Sequence, residues 1–118
     1  MSLPTILSVE DDADTQMGYT DCLEGSVTVL AAYTVEQGLE LFMAYPEIVL
    51  VVMDGKVPNA GLTTVALTAM IRSLGFKGPM LATSSHVDLL EQLRVAGCDR
   101  TSRKEDVHVL VRRLLGIG

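Results

Sequence analysis

Short aliphatic runs alternate with amphipathic segments along the whole sequence, and this alternation predicts its elements. Five strands are predicted at residues 5–9, 27–32, 48–53, 80–83 and, more weakly because the segment is polar, 98–102. Three of these segments are continuous β-branched or aliphatic runs, which is typical of strands that are covered on both faces. The pattern therefore indicates a sheet buried between layers of helices.

The segments between the strands have the spacing of helices. Between the third and fourth strands, apolar residues repeat every four positions, at Leu62, Ala66, Met70 and Leu74. A similar stripe near the C-terminus comprises Val107, Leu110, Val111 and Leu114. Both stripes predict amphipathic helices.

Capping signals mark where the first two helices begin. Thr34 and Gln37 have the spacing of a capping box, which predicts the start of the second helix. Asp12 and Asp14 bring negative charge to the first turn of the preceding helix, where the helix dipole favours it.

Five successive strand–helix units predict a single α/β domain over residues 1–118. Its sheet would be parallel, five-stranded and doubly wound, with helices on both faces. In such sheets ligands bind beyond the carboxyl ends of the strands. The functional residues are therefore expected where the strands end.

Composition narrows the classes of function. The chain has 118 residues with 15 acidic and 9 basic side chains, a balance that argues against direct binding to nucleic acid. No apolar run is long enough to cross a bilayer, and no targeting segment is recognisable, so we expect a cytoplasmic protein without membrane contact. Cys22 and Cys98 lack metal-type spacing and are expected to be reduced.

Carboxylates follow two of the predicted buried strands. Asp54 comes directly after the run 48–53, and Glu10, Asp11 and Asp12 come directly after the run 5–9. Because the carboxyl ends of parallel strands meet at one edge of a sheet, we expect these acids to cluster. Like charges a few ångströms apart raise one another's pKa, so such a cluster normally holds a cation, either a metal ion or a lysine.

Four sequence motifs occur in a fixed order around these acids. They are ILSVEDD (residues 6–12), VMDGKVP (52–58), PMLATSS (79–85) and AGCD (96–99), and Lys104 follows Gly97 by seven residues. With these motifs the chain resembles the receiver domain of bacterial response regulators over essentially its whole length. The resemblance implies a flavodoxin-like (βα)5 fold with the strand order 2-1-3-4-5.

The resemblance also assigns roles to the acids. Asp54 would be the phosphoacceptor, which attacks a phosphoryl group on a kinase histidine and becomes an aspartyl phosphate. Asp11, Asp54 and the backbone carbonyl of Lys56 would bind Mg²⁺, with Glu10 acting through water. Asp12 is expected to serve the helix N-terminus instead of the metal.

Two further residues would contact the phosphoryl group. Lys104 matches the family's lysine, which pairs with a phosphoryl oxygen or, before phosphorylation, with Asp54. Ser84 is the expected switch hydroxyl, which donates a hydrogen bond to the phosphoryl group. Thr83 is the alternative for that role.

The sequence departs from the family's pattern near strand 5. Glu105 stands where a proline in a cis peptide usually follows the lysine, so we predict a trans bond between Lys104 and Glu105. Thr101 stands where receivers usually carry Tyr or Phe. This substitution leaves open whether the usual readout on the face of helix 4, strand 5 and helix 5 operates.

Lys56 and His86 occupy positions that flank the phosphoryl group in this family. We hypothesise that Lys56 reaches across the acid pocket and competes electrostatically with the metal ion. The alternative is an ordinary loop lysine with a solvated head group.

The sequence thus suggests a phosphoacceptor domain of a two-component phosphorelay system, with slow self-phosphotransfer and self-dephosphorylation as its own chemistry rather than metabolic enzyme activity. Its partners would be a histidine kinase or phosphotransfer protein and a downstream output domain or target protein. The main alternative is a degenerate receiver that binds partners independently of phosphorylation. A phosphohydrolase and a nucleotide binder have less support, because Lys56 replaces a second aspartate and the first turn lacks phosphate-binding glycines. Oligomeric state stays open, as does whether the chain is a fragment.

Overall fold

The computed structural model describes residues 2–117, in which strands and helices alternate as the sequence predicts. The strands are β1 (Thr5–Val9), β2 (Thr28–Ala32), β3 (Ile48–Asp54), β4 (Met80–Thr83) and β5 (Arg100–Thr101). The helices are α1 (Ala13–Leu23), α2 (Val35–Ala44), α3 (Thr64–Ser73), α4 (Val87–Ala96) and α5 (Val107–Leu114), with a 3₁₀ turn at Lys104–Asp106. Residues 1 and 118 of the predicted domain lie outside the described residues.

The five strands form one parallel sheet in the order β2-β1-β3-β4-β5. The predicted flavodoxin-like topology is therefore confirmed. Strand β1 lies between β2 and β3, so the carboxyl ends of β1 and β3 are neighbours. This adjacency brings the acids after β1 to the end of β3.

Three strands differ in their bounds from the prediction, and β2 begins one residue later than predicted, at Thr28. Strand β3 includes Asp54, whose backbone pairs with Thr83 of β4. Strand β5 has only two residues, Arg100 and Thr101, instead of the predicted five. The flanking Asp99 and Ser102 N–H groups still donate to the Met80 and Ala82 carbonyls of β4, and the Asp99 carboxylate accepts from Arg72 and from the Met80 N–H. The fifth strand is thus a short, exposed edge.

Alternate side chains of the sheet enter two separate cores. Leu7, Val9, Val51 and Met53 pack beneath α2, α3 and α4, on one face of the sheet. On the opposite face, a second core contains the following residues of the sheet, of α1 and α5 and of the turn before β2: Ile6, Tyr19, Leu23, Val27, Leu50, Val52, Leu81, Val107 and Val111. Both faces are covered, which explains the uninterrupted aliphatic runs of the central strands.

Helix α3 forms where it is predicted, but the predicted apolar stripe does not face the core. Ala66, Met70 and Leu74 are exposed. The buried face of the helix consists of Thr64, Leu67, Thr68 and Ile71. A strict four-residue repeat drifts around the helix, whereas the observed set follows the i, i+3, i+4, i+7 pattern of a true helical face.

The predicted helix starts are confirmed with one difference. The Asp12 side chain accepts a hydrogen bond from the Thr15 N–H and caps α1. The Thr34 hydroxyl accepts from the Gln37 N–H and caps α2, but the side-chain oxygen of Gln37 accepts from the N–H of Tyr33, one residue before the cap. The second half of the capping box is therefore displaced.

The segment after β5 has the predicted trans backbone. No peptide bond within residues 2–117 is cis, which includes the bond between Lys104 and Glu105. With glutamate in place of proline, the chain turns through the 3₁₀ segment directly into α5. Cys22 and Cys98 both carry free thiols, as predicted.

The helices are all short. The longest, α1, has 11 residues, and none within the described part of the chain combines the length and apolarity that crossing a membrane requires.

Candidate functional site

A cluster of three carboxylates lies at the carboxyl edge of the sheet. One oxygen from each of Glu10, Asp11 and Asp54 lies within 4.8 Å of the others. Glu10 is 1% exposed and Asp54 is 5% exposed, while Asp11 is open to solvent. The structure therefore brings together the acids that the sequence placed at separate strand ends.

The turn between β1 and α1 fixes the position of Glu10. The Glu10 N–H donates to the Ala32 carbonyl at 2.9 Å, and its carboxylate accepts from the Asp12 N–H at 3.1 Å. The buried amide of Gln16 donates to the carbonyls of Ser8, Glu10 and Ala32 at 2.9–3.1 Å. This amide ties the ends of β1 and β2 to the first helix.

Lys104 enters the acid cluster from the 3₁₀ turn after β5. Its Nζ lies 2.7 Å from Glu10 Oε1 and 3.9 Å from Asp54 Oδ2. The predicted contact between Lys104 and Asp54 is present, but Glu10 is the closer partner. The lysine side chain is 41% exposed, so its ammonium lies between the cluster and solvent.

Burial perturbs the protonation of these groups. Burial raises the pKa of Glu10 to about 7, and it also raises the pKa of Asp54. The ion pair with Lys104 opposes both shifts but does not replace the lost hydration. Partial burial opposes the charge of Lys104 as well, yet the carboxylates of Glu10 and Asp54 raise its pKa overall. The single ammonium of Lys104 therefore does not balance the negative charge of the clustered carboxylates.

This donor set fits a hard divalent cation. Mg²⁺ is bound through oxygen ligands, commonly one or two carboxylates with phosphate oxygens and water. Asp11 and Asp54 supply carboxylates, and the backbone carbonyl of Lys56 follows Asp54 by two residues. The pKa values of Glu10 and Asp54, raised by burial, show that added positive charge would stabilise the ionised acids.

An open pocket of about 570 Å³ joins the acids to the residues predicted to contact a phosphoryl group. It is lined by Asp11, Asp54, Lys56, Ser84, Ser85, His86, Ser102, Arg103, Lys104 and Glu105. The pocket is thus built from the loops that follow β1, β3, β4 and β5.

Of the two candidate switch hydroxyls, Ser84 lines the pocket. Its Oγ accepts a hydrogen bond from the His86 N–H at 3.0 Å. Thr83, by contrast, is 1% exposed and is absent from the pocket lining. The geometry therefore favours Ser84 for a contact with a ligand at Asp54.

Lys56 and His86 lie on the rim of the pocket and are exposed. Within residues 2–117, Lys56 makes no ion pair with the acids. Competition between Lys56 and a metal ion therefore stays a prediction.

Gly55, which the sequence interpretation did not single out, is required by close packing. A Cβ at this position would lie 3.0 Å from Ser84 Cβ and 3.1 Å from Leu89 Cβ. The Gly55 carbonyl also accepts from the hydroxyl of Thr64 at 3.1 Å. Gln16 was missed as well, although its position on the buried face of α1 with Tyr19 and Leu23 marks it as a polar residue in the core.

Thr101 leaves an open groove beside the site. The residue is exposed on the short strand β5. The groove has a volume of about 570 Å³ and is lined by Ser84, Leu90, Thr101, Ser102, Arg103, Asp106, Val109, Leu110 and Arg113.

No protein-family model and no curated protein matches the sequence. Solved structures with similar folds do match it. A response regulator receiver domain protein from Clostridium thermocellum has a TM-score of 0.80 at 21% identity, covering 97% of this chain and 95% of that one. A response regulator from Thermotoga maritima has a TM-score of 0.78 at 21% identity, covering 98% and 99%. The BeF3-activated DrrB receiver domain has a TM-score of 0.79 at 18% identity, covering 98% and 99%.

These structures identify the class of fold. The chain has the α/β fold of response-regulator receiver domains, with five parallel strands in the order 2-1-3-4-5. Its carboxylate cluster, lysine and serine lie at the carboxyl edge of that sheet, where ligands bind in doubly wound folds.

Proposed function

We propose that this chain is the phosphoacceptor receiver domain of a two-component phosphorelay system, phosphorylated on Asp54 by a histidine kinase in the presence of Mg²⁺. One observation carries the proposal: three carboxylates lie within 4.8 Å of one another beside the ammonium of Lys104. A fold alone does not define function, whereas this arrangement is suited to phosphoryl transfer.

In the proposed reaction, a carboxylate oxygen of Asp54 attacks the phosphorus atom carried by a histidine nitrogen of the kinase. A P–O bond forms at Asp54 while the P–N bond breaks, and the electron pair of that bond returns to the imidazole nitrogen. A magnesium ion held by Asp11, Asp54 and the Lys56 carbonyl would supply positive charge to the transferring group.

Two side chains would bind the phosphoryl group once it is on Asp54. The ammonium of Lys104, 3.9 Å from Asp54 Oδ2, would pair with a phosphoryl oxygen. The hydroxyl of Ser84, on the same pocket, would donate a hydrogen bond to another. To do so, Lys104 must loosen its closer contact with Glu10, so phosphorylation would rearrange the ion pairs of the pocket.

The partners follow from this chemistry. A histidine kinase or phosphotransfer protein would donate the phosphoryl group, and an output domain or target protein would respond to it. The domain would catalyse its own slow phosphotransfer and dephosphorylation and no metabolic reaction. The signal would be a population shift favoured by the new contacts of the phosphoryl group.

A receiver that binds partners without phosphorylation is the second candidate. The exposed Thr101 and the groove of about 570 Å³ beside it favour this alternative, because they offer a partner a contact surface outside the acid cluster. The ion pair of 2.7 Å between Lys104 and Glu10 favours it too, since it satisfies part of the charge of the acid cluster.

Intact-mass spectrometry after incubation with acetyl phosphate distinguishes the two candidates. Wild type should gain the mass of one phosphoryl group only when Mg²⁺ is present, and Asp54→Asn should gain none. Asp14→Asn, which changes an exposed aspartate on α1, is the matched control and should behave like wild type. A wild-type chain that gains no mass from acetyl phosphate or from a panel of phosphorylated kinases would contradict the proposal and support the second candidate.

A further inference from the structure

Three buried hydroxyl groups lie behind the acid cluster, on the side of the sheet where the core beneath α1 and α5 is otherwise mostly aliphatic. Ser8, Tyr19 and Thr83 are 0%, 4% and 1% exposed. Within residues 2–117, none of their hydroxyl oxygens makes a well-formed hydrogen bond to the protein. Because a buried hydroxyl without a partner costs free energy, three of them in one region require an explanation.

One of these hydroxyl groups, that of Thr83, belongs to a residue on the same face of the sheet as the proposed phosphoacceptor, Asp54. Asp54 of β3 and Thr83 of β4 are partners in the register of the parallel strands. Each lies two residues after a member of the core beneath α1 and α5, namely Val52 and Leu81. Side chains two residues apart on a strand point to the same face, so Asp54 and Thr83 both point towards α1 and α5.

Tyr19 of α1 completes this arrangement from the helix side. Burial raises the pKa of Tyr19, and the nearby carboxylates of Glu10 and Asp54 raise it further, whereas the adjacent Thr83 hydroxyl acts in the opposite direction. The phenol is therefore neutral, close to Thr83 and within reach of the charge on the acids. A neutral phenol can donate a hydrogen bond, and it gains most when the acceptor is charged.

The tyrosine also contacts the outer surface of the molecule. It lines a groove of about 420 Å³ between α1 and α5, together with Lys104, Glu105 and His108. Lys104 thus borders both this groove and the acid pocket. Tyr19 lies between the proposed phosphorylation site and the surface formed by α1 and α5.

We propose that Tyr19 and Thr83 are positioning residues that couple the phosphorylation state of Asp54 to helix α1. They act on the face of the sheet that α1 and α5 cover. This inference rests on the proposed function of Asp54. When a phosphoryl group adds charge at Asp54 and draws Lys104 towards it, the Thr83 and Tyr19 hydroxyls acquire a stronger acceptor and their orientation changes. In this chain the aromatic residue that responds to the site would lie on α1, whereas position 101 on β5 is a threonine.

The composition of the chain allows a direct test. There is no tryptophan and there are three tyrosines, of which Tyr33 and Tyr45 are 42% and 38% exposed. In a Tyr33→Phe/Tyr45→Phe background, Tyr19 is the only source of tyrosine fluorescence. Its emission would be recorded during titration with Mg²⁺ and beryllofluoride, a phosphoryl analogue, while ¹⁹F NMR measures the bound fluoride independently.

The expected result is a change in Tyr19 emission that follows the occupancy measured by ¹⁹F NMR. Thr83→Val, which removes the hydroxyl at nearly constant volume, should reduce the amplitude by roughly half or more without preventing binding. Thr83→Ser, which keeps the hydroxyl, should retain the amplitude. Thr68→Val is the matched control, because Thr68 is a buried threonine of α3, and its hydroxyl bonds to the Thr64 carbonyl.

The two proposals can fail separately in this experiment. If beryllofluoride binds according to ¹⁹F NMR but Tyr19 emission stays constant, the coupling is wrong and the proposed function stands. An emission change that Thr83→Val leaves at full amplitude would also overturn the role of the hydroxyl pair. If no beryllofluoride binds in the presence of Mg²⁺, the proposed function fails and the coupling fails with it.

Discussion

At the scale of single residues, Glu10 competes with Asp54 for the ammonium of Lys104. Glu10 is almost fully buried, and its carboxylate takes the shorter contact with Lys104, at 2.7 Å against 3.9 Å for Asp54. Aspartate Asp54 is thereby left with weaker compensation for its own burial. A buried carboxylate whose charge is only partly balanced, at the edge of a pocket, is suited to accept a cation and a phosphoryl group.

The buried Glu10 predicts a pH dependence of stability in the absence of Mg²⁺. Its pKa rises from 4.5 to about 7 on folding. Between these two pH values the Glu10 carboxyl is therefore protonated in the folded state and ionised in the unfolded state. The resulting stabilisation is complete below pH 4.5 and is lost as the pH rises through 7, by about 1–3 kcal/mol in the free energy of unfolding. Urea unfolding in a metal chelator, at pH values from 4.5 to 8, measures this loss.

The variant Glu10→Gln isolates this effect, because it cannot titrate. Relative to wild type, it should gain stability as the pH rises from 4.5 to 8, and excess Mg²⁺ should reduce that gain. The exposed Glu40→Gln serves as the control and should follow wild type at every pH. A constant difference between Glu10→Gln and wild type across this range would contradict the assignment of the raised pKa to Glu10.

At the scale of the elements, two glycines inside helices have different surroundings. Helix α2 packs most closely at Gly38, where an added Cβ would lie 2.9 Å from Val9 Cγ2 and 3.2 Å from Leu67 Cδ2. Helix α1 has a glycine too, but a Cβ at Gly18 would meet nothing within 4 Å. Close packing therefore favours glycine at position 38, whereas the space around Gly18 would admit a larger side chain.

Alanine substitutions at these two glycines should change stability in opposite directions. Gly18→Ala should raise the free energy of unfolding by about 0.5–1 kcal/mol, because alanine favours the helix and fits into open space. Gly38→Ala should lower it by about 1 kcal/mol, because overpacking against Val9 and Leu67 exceeds the same gain in helix propensity. Denaturant unfolding of both variants checks the pair, and equal signs would refute the packing difference.

At the scale of the whole molecule, Arg72 holds together the half of the sheet that ends in β5. From α3 it donates hydrogen bonds to the carbonyls of Gly97, Phe76 and Gly78, and it pairs with Asp99 at 2.7 Å. These contacts connect α3 to the loop before β4 and to the loop after α4. Because β5 has only two residues, these contacts add to the backbone hydrogen bonds that attach it to β4.

Removing this arginine should destabilise the entire fold. We expect Arg72→Met to lower the free energy of unfolding by about 2–4 kcal/mol, because it leaves several carbonyls without a donor. Arg94→Met is the matched control, since the Arg94 side chain is 59% exposed and, within residues 2–117, forms its ion pair with Glu91 of the same helix; its effect should be much smaller than that of Arg72→Met. Guanidinium unfolding compares the two, and similar losses would contradict the role given to Arg72.

Most of the fold could be predicted from local patterns in the sequence. The alternation of aliphatic runs and helical segments identified all ten main elements, and the receiver motifs implied the strand order that the structure has. The candidate site could be predicted equally well, because its residues lie directly after strands or at their ends: Glu10, Asp11, Asp54 and Ser84. Parallel strands bring such positions to one edge whatever the details of packing.

The tertiary structure alone decided features that depend on how distant elements pack. These include the buried face of α3, the preference of Lys104 for Glu10 over Asp54, and the position of Tyr19 beside Thr83. The sequence by itself determined the order of the elements and the edge at which the acids meet, because these follow from local periodicity and from the direction of the strands. The rotation of a helix about its axis and the partner that a side chain contacts are set by packing between residues far apart in sequence. Local periodicity does not specify these contacts.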